Sequence, residues 1–381
     1  MAAALLLSGA HFAKAQAPAS QRRSDIQRTL PITKFYDAPD PLPPGEPGEL
    51  IRKQEFWQYE LPYSVSAVRI LYHSRSPAGE DVAASGVVLI PGDGKPPAEG
   101  WPIIAWAHGA TGVGRACAPS LLRNIGHGAF LAMYANLGYA VVAIDYTGLG
   151  TKFRNAFLDG PSNATDVVNA VSAARAGLPQ LGAKWVVMGE AEGGQTAVAV
   201  AEKENELRDP GYLGAIAISG IASPMEISEH SGLMLASLTY GVKTVYPQFQ
   251  VTEMLTEKGL ALYRNIDQMC SQAALTELSP AQTVKSGWKN DPFVRRYFGR
   301  NDLGQKRAYG PILVVSSADD QSTLATSTAQ AVGSMCKVGD RVQWQRYNDL
   351  DPDRVIGDSV RDQIGWIEGR LAGRVPKTNC P

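Results

Sequence analysis

Residues 186 to 195 read VVMGEAEGGQ, an apolar run that meets two glycines four positions apart and then opens a helical pattern. A strand that passes straight into a helix must turn sharply, and glycines at 189 and 193 permit a corner too tight for side chains. The residue lifted at the tip of such a corner is usually a nucleophile. Here it is Ala191, whose methyl can attack nothing, and it stands between Glu190 and Glu192. The corner commits the chain to a sheet layered with helices, yet withholds the group for which the corner is usually built.

The remaining pattern agrees with that layering. Apolar runs at 65–73, 85–91, 102–107, 140–145, 185–188, 214–219, 311–316 and 341–347 read as eight strands. Several of them, such as WPIIAWA, AVVAIDY and PILVVSS, are uninterrupted, as strands buried on both faces of a mostly parallel sheet must be. Helical patterns fall between them at 163–177, 194–206, 321–336 and 357–372, which places helices on both faces. The stretch 224–309 breaks the alternation with helical patterning and scattered aromatics, and an insertion of that length reads as a helical cap. It divides a core of 61–223 and 310–381. Ahead of the core, 18–60 reads as an extended arm, because FYDAPDPLPPGEPGEL carries five prolines in its sixteen residues.

Composition narrows the partners. With 36 basic and 37 acidic residues and a net charge of -1, nothing calls for nucleic acid or an anionic membrane. Beyond the first residues no apolar span is long enough for membrane insertion, so a small-molecule substrate is the expected partner. Residues 1–17, MAAALLLSGAHFAKAQA, combine a short apolar run with a small-x-small site before Gln16, which reads as a signal peptide and a secreted or periplasmic protein. Export would let Cys117, Cys270, Cys336 and Cys380 oxidise as two pairs, with three connectivities open. No cysteine or histidine spacing suggests a metal site, and no cofactor is expected.

The segments FYDAPDPLPPGEPGELIR, WPIIAWAHGATG with CAP at 117–119, GYAVVAIDYTGLGT at 138–151, the glycine corner, PILVVSSADD and RDQIGWIEGRLAG occur in that order over nearly the whole chain. Together they resemble the secretory lipase family of α/β-hydrolases, bacterial and fungal esterases with a large cap. The resemblance implies an α/β-hydrolase fold and a Ser-acid-His triad in that chain order. It places one oxyanion-hole amide at Ala110 and the other at Glu192. It further implies pairing of Cys336 with Cys380 and of Cys117 with Cys270.

Two triad members are absent. Ala191 replaces the serine, and Pro352 stands in YNDLDPDRVIGDS, where the histidine is expected. No histidine follows His230, so the usual base cannot exist. The triad acid falls at Asp319, with Asp320 as its neighbour and a helix N-cap as the plain alternative for either. Glu190, Glu192, Asp319, Asp320 and Asp353 then crowd one edge of the sheet, and crowded carboxylates raise one another's pKa. The plain alternative for Glu192 is an acid complementing a helix N-terminus. His108, Thr111, Tyr146, Tyr240 and Tyr246 are candidate substrate contacts, although His108 equally suits packing in the corner. The expected function is a secreted enzyme that has lost the Ser-His pair and uses carboxylates for elimination, isomerisation, or glycoside or lactone opening. The alternatives are a carboxylic ester hydrolase silenced by serine to alanine, and a ligand-binding protein without turnover.

Overall fold

A computed structural model describes residues 29–92, 94–219, 223–229, 231–270, 278–318, 323–348 and 352–380. Nine strands form one sheet: β1 (Leu50–Glu55), β2 (Val65–Arg75), β3 (Asp81–Pro91), β4 (Trp101–Ala107), β5 (Ala140–Ile144), β6 (Leu181–Glu190), β7 (Tyr212–Ile218), β8 (Ile312–Ser317) and β9 (Val342–Tyr347). Their order is β1-β2-β3-β5-β4-β6-β7-β8-β9. Strands β4 to β9 run parallel, whereas β1, β2 and β3 join at one edge in antiparallel fashion.

Eight of these strands are the eight expected. The ninth lies within the 18–60 stretch read as an extended arm, where LIRKQE pairs with β2. As an edge strand it is charged and exposed over its second half, so it lacks the apolar run by which the others announce themselves.

Alternation along β6 shows why the sheet is covered twice. Trp185 and Val187 enter one core with Ala164, Val167 and Val198, while Val186 and Met188 enter the other with Leu131, Tyr134 and Trp366. The first core is covered by helices α1 (Gly160–Gly177) and α2 (Glu192–Leu207), together with Val332 and Met335 of the helix after β8. The second is closed by the helices Gly128–Asn136 and Val360–Leu371.

Between β7 and β8 the chain leaves the sheet as a helical insertion whose longest members are Gly232–Val245 and Pro292–Arg300. It has its own core of Leu235, Leu238, Val242, Phe249, Trp288 and Tyr297. A second cluster joins its Leu233, Ala236 and Ile266 to Val113, Phe157 and Leu158 of the sheet domain. The disulfide Cys117–Cys270 and the bridge pairing of Gly112 with Cys270 fasten the insertion to the loop after β4. The second disulfide, Cys336–Cys380, ties the C-terminal tail to the helix after β8, so both pairs are those the resemblance implied. Among the described residues no helix is long and apolar enough to cross a membrane.

Candidate active site

Strand β6 ends at Glu190 and α2 begins at Glu192, so Ala191 alone makes the corner, at φ 52° and ψ -113°. That backbone costs a residue with a Cβ on the order of 1–3 kcal/mol and persists only where its surroundings dictate it. They do so here. The Ala191 N–H donates to Ile218 O at 3.2 Å, and its carbonyl accepts the Gly194 and Gln195 N–H groups at 2.9 and 3.2 Å. A Cβ on Gly193 would lie 1.9 Å from the Ala107 carbonyl oxygen, and one on Gly189 would lie 2.1 Å from the Gly193 oxygen. Only glycine fits either place.

The loop after β4 faces this tip. A Cβ on Gly109 would meet the Ala191 Cβ at 3.5 Å and Glu190 Oε2 at 2.8 Å, so the carboxyl of Glu190 reaches over Gly109. Ala110 follows, packed at the border of the cluster shared with the insertion. The Glu192 N–H belongs to the first turn of α2, whose amides have no partner within the helix.

Glu192 is 4% exposed. Its Oε1 accepts the Leu158 N–H at 3.0 Å and Asn163 Nδ2 at 2.9 Å. Burial pushes its pKa up to about 7, against the lowering effect of those two donors. The sequence did not point to Asn163 or Leu158. Asn163 lies on the first turn of α1, and the run DGPSN, with Asp159 as N-cap and Pro161 just inside, was the available sign of that helix start.

His108 and Tyr146 lie beneath the corner. The His108 Nδ1 is 2.6 Å from Gly109 O and its Nε2 3.3 Å from Asp145 O, and the ring packs on Tyr146 at 4.3 Å. A neutral imidazole donates once, and the shorter contact assigns that proton to Nδ1. Burial lowers the ring's pKa to about 4, so it is neutral at physiological pH. The Tyr146 hydroxyl donates to His108 O at 3.1 Å. Thr111 Oγ1 and both side-chain atoms of Gln195 are buried without a hydrogen-bond partner among the described residues.

In the insertion, Tyr240 and Met234 border the same cluster as Ala110, and the Arg154 guanidinium lies over the Tyr240 ring at 4.0 Å. Tyr246 instead packs with Phe293 in the insertion's own core, which also holds Trp288. Asp319 and Asp320 lie outside the described residues. Pro352 and Asp353 open the helix Pro352–Asp358, and only their backbone is described. A proline suits the first turn of a helix, where its missing N–H costs nothing.

A mixed sheet of this order, with a strained strand-to-helix corner facing the loop after β4 and a helical insertion after β7, defines the α/β-hydrolase fold. Solved structures of lipases and esterases share it. Candida antarctica lipase A is 17% identical at a TM-score of 0.77, covering 92% of this chain and 89% of its own. The rice cell wall degrading esterase LipA of Xanthomonas oryzae is 18% identical at a TM-score of 0.71, covering 87% of this chain and 100% of its own. No protein-family model and no curated protein matches the chain.

Proposed function

We propose that this protein is a secreted α/β-hydrolase-fold enzyme that works on a small substrate without a serine nucleophile, with Glu192 as its acid/base group. The observation that carries this reading is the buried Glu192 carboxyl, of pKa about 7, on the residue that follows Ala191 in the chain. A group titrating near neutral pH populates both its proton-donating and proton-accepting forms, which general acid/base catalysis requires. The amides of Ala110 and Glu192 stabilise negative charge developing on the substrate. Glu190, with its carboxyl over Gly109, and the acids Asp319, Asp320 and Asp353 are the further carboxylates of the site. The chemistry open to such a set is elimination, isomerisation, or glycoside or lactone opening.

The helical insertion acts as the cap. Support comes from Met234 and Tyr240, which border the same cluster as Ala110. Tyr240 is the substrate-facing aromatic in this reading, with Thr111 contributing its unengaged hydroxyl. Secretion accords with the two disulfides, which persist in oxidising compartments.

One observation favours a second reading. Glu192 Oε1 already serves two donors of the fold, as it would in a protein that keeps the corner only to hold a ligand. The test is an untargeted metabolite screen by mass spectrometry with wild type and Glu192→Gln, a substitution that keeps an acceptor for Leu158 and Asn163. Consumption of a compound by wild type and not by the variant supports the enzyme. Equal retention of a compound by both, without turnover, makes it a binding protein.

A further inference from the structure

At the opposite end of the strands from the corner at Ala191, where β8 and β9 begin, a cleft of about 680 Å³ is lined by Arg208, Arg307, Arg341, Tyr309, Asp340 and Pro376, among others. Because β6 to β9 are parallel, this cleft is remote from Ala191 at the far end of β6. The chain as a whole is nearly neutral, yet here three guanidinium groups meet one carboxylate.

All three arginines are exposed, and Arg208 and Arg341 are tethered by hydrogen bonds. Arg208 donates from Nε to Asn205 O and from Nη2 to Asn205 Oδ1, both at 2.8 Å, and lies over the Tyr309 ring at 4.8 Å. Arg341 Nη1 donates to Pro376 O at 3.3 Å. Arg307 lies against Gly339, its Nη1 3.6 Å from where a Cβ would stand. Among the described residues none of the three is ion-paired. The positive field extends further, since after burial it is Arg374 and Arg341 that hold the Arg370 pKa down.

Asp340 supplies a second requirement, beside the favourable charge that Arg307 already gives it. It is 7% exposed, its Oδ1 accepts the Ala308 N–H at 2.9 Å, and its Oδ2 has no hydrogen-bond partner among the described residues. Guanidinium forks match the oxygens of a phosphate, and several of them suit a dianion better than a single carboxylate. A buried carboxylate oxygen asks instead for a donor, which the dianion of a phosphate monoester lacks and a sugar hydroxyl carries. A cleft of this volume has the size of a small-molecule site.

We propose that this cleft binds a phosphate ester of a hydroxylated small molecule, a sugar phosphate in chemical class, with the phosphate on the arginines and a hydroxyl on Asp340 Oδ2. The site is independent of the chemistry at Ala191. Calorimetric titration of the full chain with glucose 6-phosphate, inorganic phosphate and glucose at constant ionic strength tests it. Glucose 6-phosphate binds about tenfold or more tightly than phosphate, and the double variant Arg307→Ala with Arg341→Ala weakens it at least ~10-fold, in keeping with charge-assisted hydrogen bonds. Arg361→Ala, an exposed change outside the cleft, leaves binding unaltered. Asp340→Asn keeps an acceptor for Ala308 and narrows the preference for the sugar phosphate over phosphate. No saturable binding of glucose 6-phosphate, or binding indifferent to loss of the two arginines, overturns the site. Equal binding of phosphate and glucose 6-phosphate overturns the role of Asp340.

Discussion

Asp159, which has no exposed side-chain surface, receives the Arg300 guanidinium on both carboxylate oxygens, Nε to Oδ1 at 2.8 Å and Nη2 to Oδ2 at 3.1 Å. Asp159 is the N-cap of α1 and Arg300 closes the last long helix of the insertion, so this pair joins sheet domain to insertion. Asn301 reinforces it, donating from Nδ2 to Asp159 and accepting the Gly160 N–H at 2.7 Å. Removing one partner of a buried pair strands the other charge. Arg300→Met should therefore lower stability in urea by on the order of 1–3 kcal/mol, below the full range because Arg300 is 32% exposed. A variant as stable as wild type would show that Asn301 and Ser162, whose N–H and hydroxyl also donate to Asp159 Oδ2, already satisfy the carboxylate.

The corner should tolerate no side chain at its glycines. A methyl on Gly193 meets the Ala107 carbonyl at 1.9 Å, backbone against backbone, with no flexible side chain to move aside. Gly193→Ala should cost about 3 kcal/mol or more, or fail to yield folded protein. Near-wild-type thermal unfolding of that variant would mean the strand and helix are not held this close.

Restoring the serine alone should recover nothing. No histidine follows His230, and His108 is buried, neutral and committed through Nδ1 to Gly109. A hydroxyl without a base is a poor nucleophile. Ala191→Ser should show no burst with an activated aryl ester and no labelling by a serine-reactive phosphonate. A burst would reveal another group already serving as base.

How much of this was legible in the sequence divides by the kind of force involved. Strands such as WPIIAWA and the corner at 189–193 were readable because continuous burial and steric exclusion act on local residue types. The edge strand Leu50–Glu55 was not, since its position is set by pairing with β2 and its composition is that of a surface. At the site, Glu192 could be singled out by its place after Ala191. Its fixing by Asn163 and Leu158 could not, because those partners lie 29 and 34 residues away in the chain and meet it only after α1 packs on α2. Tyr246 shows the same limit: the aromatic enrichment of the insertion does not say which rings turn toward Ala110 and which, like this one, fill the insertion's own core.

Glu192 should leave a mark on stability as pH changes. The unfolded chain ionises it near 4.5, the folded protein only near 7. Between those values the folded state keeps a proton that the unfolded state has released. The contribution of this group is therefore complete below 4.5, declines as pH rises, and is lost once pH passes about 7. The whole interval corresponds to on the order of 3 kcal/mol. Glu202 is raised to about 7 as well, so the informative quantity is the difference between wild type and Glu192→Gln. That difference should be small near pH ~4 and favour the variant by up to about 3 kcal/mol near pH ~8. A constant difference across this range would mean that the carboxyl is not held protonated by the fold.

The acid/base role rests on one titration, and carbon-13 NMR of glutamate side-chain carboxyls, assigned by comparison with Glu192→Gln, reads it directly. The signal lost in the variant should titrate in wild type with a midpoint near 7. A midpoint at the ordinary value of 4.5 would leave Glu192 fully ionised at neutral pH and contradict its role as the proton-carrying group of the site.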